Sequence, residues 1–176
     1  MYKILKYYIR LHRCKHLVFD LLAVIILLIL FIDKKDLYEI TDLSKYVQDT
    51  AKLILPVLTF QSALHATSII FFANSSSEIL QKFKDEDIFI NGVQTTYKKI
   101  DQLYAYFGWA ILIQLLFLLY SVMLIVSLSS NNCLWQIKLS LISALYLLLF
   151  GILYSIILCI RNIGFFFEIL VHHTKK

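Results

Sequence analysis

Residues 102–160 read QLYAYFGWAILIQLLFLLYSVMLIVSLSSNNCLWQIKLSLISALYLLLFGILYSIILCI, with Lys138 the only charged residue among them. A helix needs about 20 apolar residues to cross a hydrocarbon core about 30 Å thick. The stretch is therefore too long for one crossing and long enough for two. Its interruption is Ser127-Leu128-Ser129-Ser130-Asn131-Asn132, whose side chains compete with the helix for backbone hydrogen bonds. One span is placed at 103–128, a turn at 129–136 and the next span at 137–160.

Working outward, two further uncharged stretches cover 21–32 and 53–77. The second gives a span at 53–73, with Pro56 placed in its first turn, where proline is tolerated. The first is short but becomes adequate at 17–32 if Leu17, Val18 and Phe19 are included and Asp20 sits near the interface. A secretory signal peptide also has a basic leader before an apolar run. Here the run ends Leu30-Phe31-Ile32-Asp33-Lys34, with no small-residue cleavage site, so it is read as an uncleaved span. Composition agrees: 60% of the 176 residues are hydrophobic and 16% charged, too few charges to cover a water-soluble domain. The expected fold is an all-α integral membrane protein with four transmembrane helices in the cell inner membrane.

Orientation follows from Lys and Arg near the span ends. Five lie before the first span, four in 74–102 and three in 161–176, against four in 33–52 and Lys138 alone in the last turn. Twelve against five places both termini in the cytoplasm. The same bias explains the formal net charge of +5, so no direct nucleic-acid binding is expected. Residues 1–16 read as a basic amphipathic helix with Lys3, Lys6, Arg10 and Arg13 at helical spacing. It either lies on an anionic inner leaflet or simply extends the first span. In 33–52, Leu37, Ile40, Leu43 and Val47 suggest a short interfacial helix.

The cytoplasmic element 74–102 begins with Ser75 and Glu78 at capping-box spacing, predicting a short helix to about Lys84. Asn91-Gly92 between β-favouring residues marks a hairpin candidate; the alternative is an ordinary loop before a helix starting near Thr95. An isolated hairpin is marginal in water, so Phe89, Asn91 and Gly92 are candidate contacts for a partner. The tail run Phe165-Phe166-Phe167-Glu168-Ile169-Leu170-Val171 is too apolar to stay in water uncovered.

Hydrophobicity does not discriminate among helix faces in lipid, so small and polar residues mark the packing faces. On the second span Thr59, Ser62, Ala66 and Ala73 share a face, and on the fourth Ser140, Ala144, Gly151, Ser155 and Cys159 do. Both are candidate surfaces for packing and homo-oligomerisation. Gln61 and His65 stand at i, i+4, and Gln114 belongs at similar depth on the third span. These three form either a hydrogen-bonded interior or a polar seam between subunits or along a pore. Asp20 and Arg161 bracket their spans on the same side, so they are expected to meet or to be solvated by headgroups.

No reaction is visible. The chain contains no phosphate-cradling glycine loop, no HExxH, no GxSxG and no paired carboxylates at a span end. His12 and His16 share a helix face, and His172-His173 lie on the same side of the membrane, so the four could converge on a metal, but no acid or cysteine joins them with ligand spacing and Cys14 points away from that face. Cys14, Cys133 and Cys159 form no disulfide framework. No catalytic, metal or cofactor site is assigned. Asn74-Ser75-Ser76 matches a glycosylation acceptor but falls on the cytoplasmic side. The basic residues are 14 Lys and three Arg, beside 13 Phe and 11 Tyr, a bias of AT-rich bacterial or mobile-element genes.

In length, four spans, cytoplasmic ends and AT-biased composition, the chain resembles the four-span membrane subunit of the bacterial antiphage Kiwa defence system. The resemblance covers the whole chain as a hydropathy pattern and contains no diagnostic motif. It implies an oligomeric membrane assembly that senses infection at the envelope and binds a cytoplasmic, DNA-interacting partner. From the residues, the expectation is a non-enzymatic, self-associating membrane subunit that anchors or signals to a cytoplasmic protein. A pore-forming, holin-like effector and a small channel or transporter remain the alternatives, although no broken helix pair or inverted repeat supports transport.

Overall fold

A computed structural model describes residues 13–31, 42–76, 78–90, 93–129 and 138–174. In chain order the elements are α1 (Arg13–Phe31), α2 (Leu43–Asn74), α3 (Glu78–Asp85), β1 (Asp87–Ile90), β2 (Val93–Lys98), α4 (Lys99–Ser129) and α5 (Lys138–Thr174). Three helices are long and apolar enough to cross a membrane: Leu43–Asn74, Lys99–Ser129 and the Ser140–Phe167 part of α5. This is the architecture of a multi-pass membrane protein. The apolar part of α1, Val18–Ile29, is shorter.

Side-chain pairs give the helix directions. Gln48 of α2 donates to Ser129 of α4 at 2.7 Å, while His65 meets Gln114 at 3.1 Å, so α2 and α4 are antiparallel. Trp109 donates to the Tyr154 hydroxyl at 3.2 Å, and Gly151 lies against Phe117, so α4 and α5 are antiparallel as well. Asp20 pairs with Arg161, and Val24 clusters with Tyr154 and Leu158. Helix α1 therefore runs against α5. The N-terminal end of α1, the C-terminal ends of α2 and α5, and the start of α4 gather at one end of the bundle.

Several boundaries differ from the sequence reading. Helix α2 starts at Leu43, ten residues before the expected span, so Leu43 and Val47 belong to it and not to a separate interfacial helix. Leu43, Val47, Ala51, Ile54 and Leu58 repeat at helical spacing and bury against Leu124, Leu141, Ile142, Ala144, Leu145 and Leu148. The nearby charges Lys45, Asp49 and Lys52 do not break this stripe, because they point outward. Asp42 caps the start by accepting from the Lys45 amide at 3.0 Å. Leu37 and Ile40 lie outside the described residues.

Pro56 consequently stands inside α2 and not in its first turn. Its exposed ring removes one backbone donor without ending the helix. At the other terminus α5 continues unbroken through Arg161 to Thr174, 37 residues in all and about 55 Å at 1.5 Å per residue. The expected tail from 161 is its last turns. Phe165, Phe166 and Ile169 find their cover there, against Phe72, Leu80, Phe83, Leu103, Tyr106 and Phe107.

The hairpin is present. Strands β1 and β2 pair antiparallel, with Ile90 opposite Val93 and Phe89 opposite Gln94. That register leaves the two positions 91 and 92 as the connection, as the Asn-Gly signal predicted. Asn91 and Gly92 themselves, and the Phe89 side chain, lie outside the description. So do Lys3, Lys6 and Arg10, and Arg13 is described only as the first residue of α1.

Candidate functional site

Gln114 stands equidistant from the two ends of α4 and is fully buried. Its amide nitrogen donates to Ser155 Oγ on α5 at 3.0 Å. Its Oε1 receives Ser62 Oγ at 3.3 Å and faces His65 Nδ1 at 3.1 Å, both from α2. With the amide so oriented, Nδ1 of His65 is the donor, since a carbonyl oxygen only accepts. Ser155 Oγ in turn donates to Gln61 Oε1. The result is a closed polar centre joining α2, α4 and α5, with Gln61, His65, Gln114 and Ser155 all buried. The edge of the His65 ring meets Phe107, at 5.4 Å between centroids and 80° between planes.

The three residues expected in a seam are thus together, and two serines join them. Ser155 was read only as a small residue on a packing face, yet it is the junction between Gln61 and Gln114. The sequence reading hid this match in depth: a span ending at 160 puts Ser155 near its end, whereas the longer apolar helix Ser140–Phe167 puts it near the middle. The centre is arranged for cohesion. Its groups bond across the helices, as buried polar groups in lipid are driven to do, and these bonds tie α2, α4 and α5 together.

The small-residue faces divide. On α5, Ala144, Gly151 and Ser155 are buried within a single chain and Ser140 is half-buried. A methyl placed on Gly151 would lie 2.2 Å from Cδ1 of Phe117. This face therefore packs within the chain, against Phe117 and Gln114 of α4 and Gln61 of α2. On α2, Ser62 and Ala66 are half-buried, whereas Thr59 and Ala73 are exposed. Phe60, Leu64 and Phe71 also face outward, as expected for lipid contact.

Nearer the hairpin end, Asp20 of α1 and Arg161 of α5 form the ion pair anticipated from their positions. Both are largely buried, and the guanidinium lies over the Tyr106 ring at 5.7 Å. Beside Arg161, Asn162 is 1% exposed, and neither of its amide atoms has a hydrogen-bond partner. Nothing in the sequence singled it out.

The end face is fastened by polar contacts around an aromatic cluster. Lys84 Nζ of α3 donates to the carbonyls of Ala73 and Ser75 at 3.1 and 3.0 Å. It thereby supplies a cation and two donors to the C-terminus of α2. Ser75 acts as the C-cap of α2, its amide bonded to Phe71 O at 3.0 Å, and Glu78 pairs instead with Lys82 at 2.8 Å. That exposed pairing holds the Glu78 carboxyl below its ordinary value. The Lys99 amide donates to Glu86 O at 2.9 Å, and its ammonium pairs with the Glu86 carboxylate at 2.7 Å. Lys98 Nζ reaches Asp85 O at 2.8 Å. No group of three or more His, Cys, Asp or Glu positioned for a metal occurs among the described residues.

Comparison with known proteins finds no matching family model, no similar curated protein and no similar solved structure.

Proposed function

We propose that this chain is a non-enzymatic membrane subunit, crossing the bacterial inner membrane four times with both termini inside, that anchors or signals to a cytoplasmic protein. The observation that carries the proposal is the hairpin-end platform. Phe72 of α2, Leu80 and Phe83 of α3, Leu103 and Phe107 of α4, and Ile169 of α5 share one buried cluster. A load on α3 or the hairpin is thereby shared among all three long helices. Strands β1 and β2 link α3 to α4, and the partner contact falls to Phe89, Asn91 and Gly92.

The mid-bundle centre favours this reading over a channel. Gln61, His65, Gln114 and Ser155 bond to one another and tie helices together, so these four polar groups are engaged in packing. Anchoring to an anionic inner leaflet falls to Lys3, Lys6, Arg10 and Arg13. Self-association falls to faces still directed outward, such as that of Thr59 and Ala73. A sensing role in antiviral defence is what the Kiwa resemblance adds.

The test is affinity capture of tagged wild type and Gly92→Val from native cells. Positive φ is favoured in a two-residue hairpin loop and resisted by a β-branched residue. The variant should insert normally and lose its cytoplasmic partner. Equal recovery of the same proteins by both chains would remove the hairpin from the mechanism. Collapse of the membrane potential on expression of the chain alone would instead select a pore former.

A further inference from the structure

We propose that the outward-facing groove between α2 and the end of α5 seats one acyl chain of a phospholipid, with Lys84 holding that lipid's anionic headgroup. The inference rests on the bundle lying in a bilayer and needs no cytoplasmic partner.

The groove has a volume of about 470 Å³ and is lined by Phe60, Ala63, Thr67, Ser68 and Phe71 of α2 and Phe166 of α5. Ser68 and Phe166 are half-buried and the other four are exposed. Ala63, Thr67 and Ser68 are small, so the open space lies over them and the three rings bound it. From Phe60 to Phe71 the helix rises about 16 Å at 1.5 Å per residue, half of a hydrocarbon core about 30 Å thick. Phe60 adjoins Gln61, whose partner Ser155 also bonds Gln114 at the middle of α4. Phe71 is within one turn of Asn74, the last residue of α2. The groove therefore covers the depth of one leaflet, which is the depth of a lipid chain.

Its chemistry suits such a chain. Thr67 donates to the Ala63 carbonyl and Ser68 to the Leu64 carbonyl, each at 2.8 Å, so both hydroxyl protons are spent on the helix's own backbone. A ligand with polar groups at this depth would give up water and receive no donor from these hydroxyls in return. A hydrocarbon chain gives up nothing.

The cation comes from α3. Lys84 Nζ bonds the carbonyls of Ala73 and Ser75 at 3.1 and 3.0 Å, and the Ser75 amide bonds Phe71 O at 3.0 Å. Along α2 the ammonium thus stands within about one turn of the groove's end. Among the described residues Lys82, Lys98 and Lys99 each pair with a carboxylate, and Lys84 pairs with none. The helix terminus offsets only about half of its charge, and one of its three N–H groups is left for another acceptor. A headgroup phosphate, brought to this end of the bundle by the seated chain, supplies both the charge and the acceptor.

The experiment is native mass spectrometry of the full chain in mild detergent, titrated with dioleoyl phosphatidylglycerol or dioleoyl phosphatidylcholine. Wild type should retain one lipid per chain and favour the anionic lipid about fivefold, the effect of one basic residue at an anionic surface. Lys84→Gln, which keeps two N–H donors for the carbonyls, should bind both lipids equally, and Lys84→Arg should keep the preference. Lys82→Gln should also keep it, since Lys82 already pairs with Glu78. Ala63→Leu with Thr67→Leu fills the groove from exposed positions and should lose both lipids. A preference that survives Lys84→Gln, or falls equally in Lys82→Gln, overturns the headgroup assignment. Undiminished lipid retention by the groove-filled chain overturns the proposal as a whole, as does a wild type that retains no lipid. A groove-filled chain that keeps its lipid but drops from dimer to monomer also overturns it, because a second copy would then be the occupant. The groove variant leaves Lys84 and α3 untouched, so it decides the matter even where Lys84→Gln loosens α3.

Discussion

Replacing Gly151 with alanine places a methyl 2.2, 2.5 and 2.6 Å from Cδ1, Cγ and Cε1 of Phe117. Carbon atoms in contact settle at about 3.5–4.0 Å, so the ring must retreat by more than about 1 Å. Cγ sits close to the α4 backbone, so rotating the ring cannot clear the methyl by itself. Ser121 and Gln114, one turn to either side of Phe117, are both buried, which limits how far α4 can move away. Overpacking of this kind costs about 1–3 kcal/mol, and alanine's better helix propensity returns up to about 1 kcal/mol. The net expectation is a loss of about 1–2 kcal/mol, or roughly a tenfold shift in the folding equilibrium. Reversible unfolding in mixed micelles by SDS titration measures it. Phe117→Leu should ease the clash, giving the double variant a favourable coupling of about 1 kcal/mol. The loss should also be independent of protein concentration, since the contact lies within one chain. Gly151→Ala as stable as wild type, or a loss that vanishes on dilution, would refute the argument.

The polar centre gives a second expectation. Gln114→Leu removes the partner of Ser62, His65 and Ser155 together, and at about 0.6 kcal/mol per contact in a membrane bundle the same titration should lose about 2 kcal/mol. Phe83→Ala should cost about 3–5 kcal/mol of local packing as a buried aromatic is truncated, detected as faster amide exchange across α3 and the hairpin while the α2–α4 core stays protected.

The features legible in the sequence were those with a local or depth-based signal. Charge placement exposed the long apolar helices, the i, i+4 spacing of Gln61 and His65 matched Gln114 in depth, and Asn91-Gly92 announced the hairpin. A contact between Asp20 and Arg161 was one of two expectations, beside solvation by headgroups, because each bounds an apolar run on the same side. What failed was anything set by the identity of a neighbour. Lys45, Asp49 and Lys52 looked like loop charges, yet on a helix they lie opposite the buried Leu43–Val47–Ala51 stripe. Placing the start of α2 too late then put Pro56 in the wrong turn. Arg161 looked like a span end, but a helix that leaves lipid keeps its own hydrogen bonds and can continue, as α5 does to Thr174. A small-residue face says that something packs closely; it does not say whether that is another copy or the chain's own Phe117. Asn162 carries no pattern at all, and its isolation exists only in three dimensions.

The central claim is that the α3–hairpin end faces the cytoplasm, opposite the start of α2. Single cysteines at Ser44 and Ser76, in a background with the native cysteines replaced, test it with an impermeant thiol reagent on intact cells. Ser44→Cys should be labelled from outside, and Ser76→Cys only after the membrane is opened. Labelling of Ser76→Cys in intact cells with protection of Ser44→Cys would contradict the account.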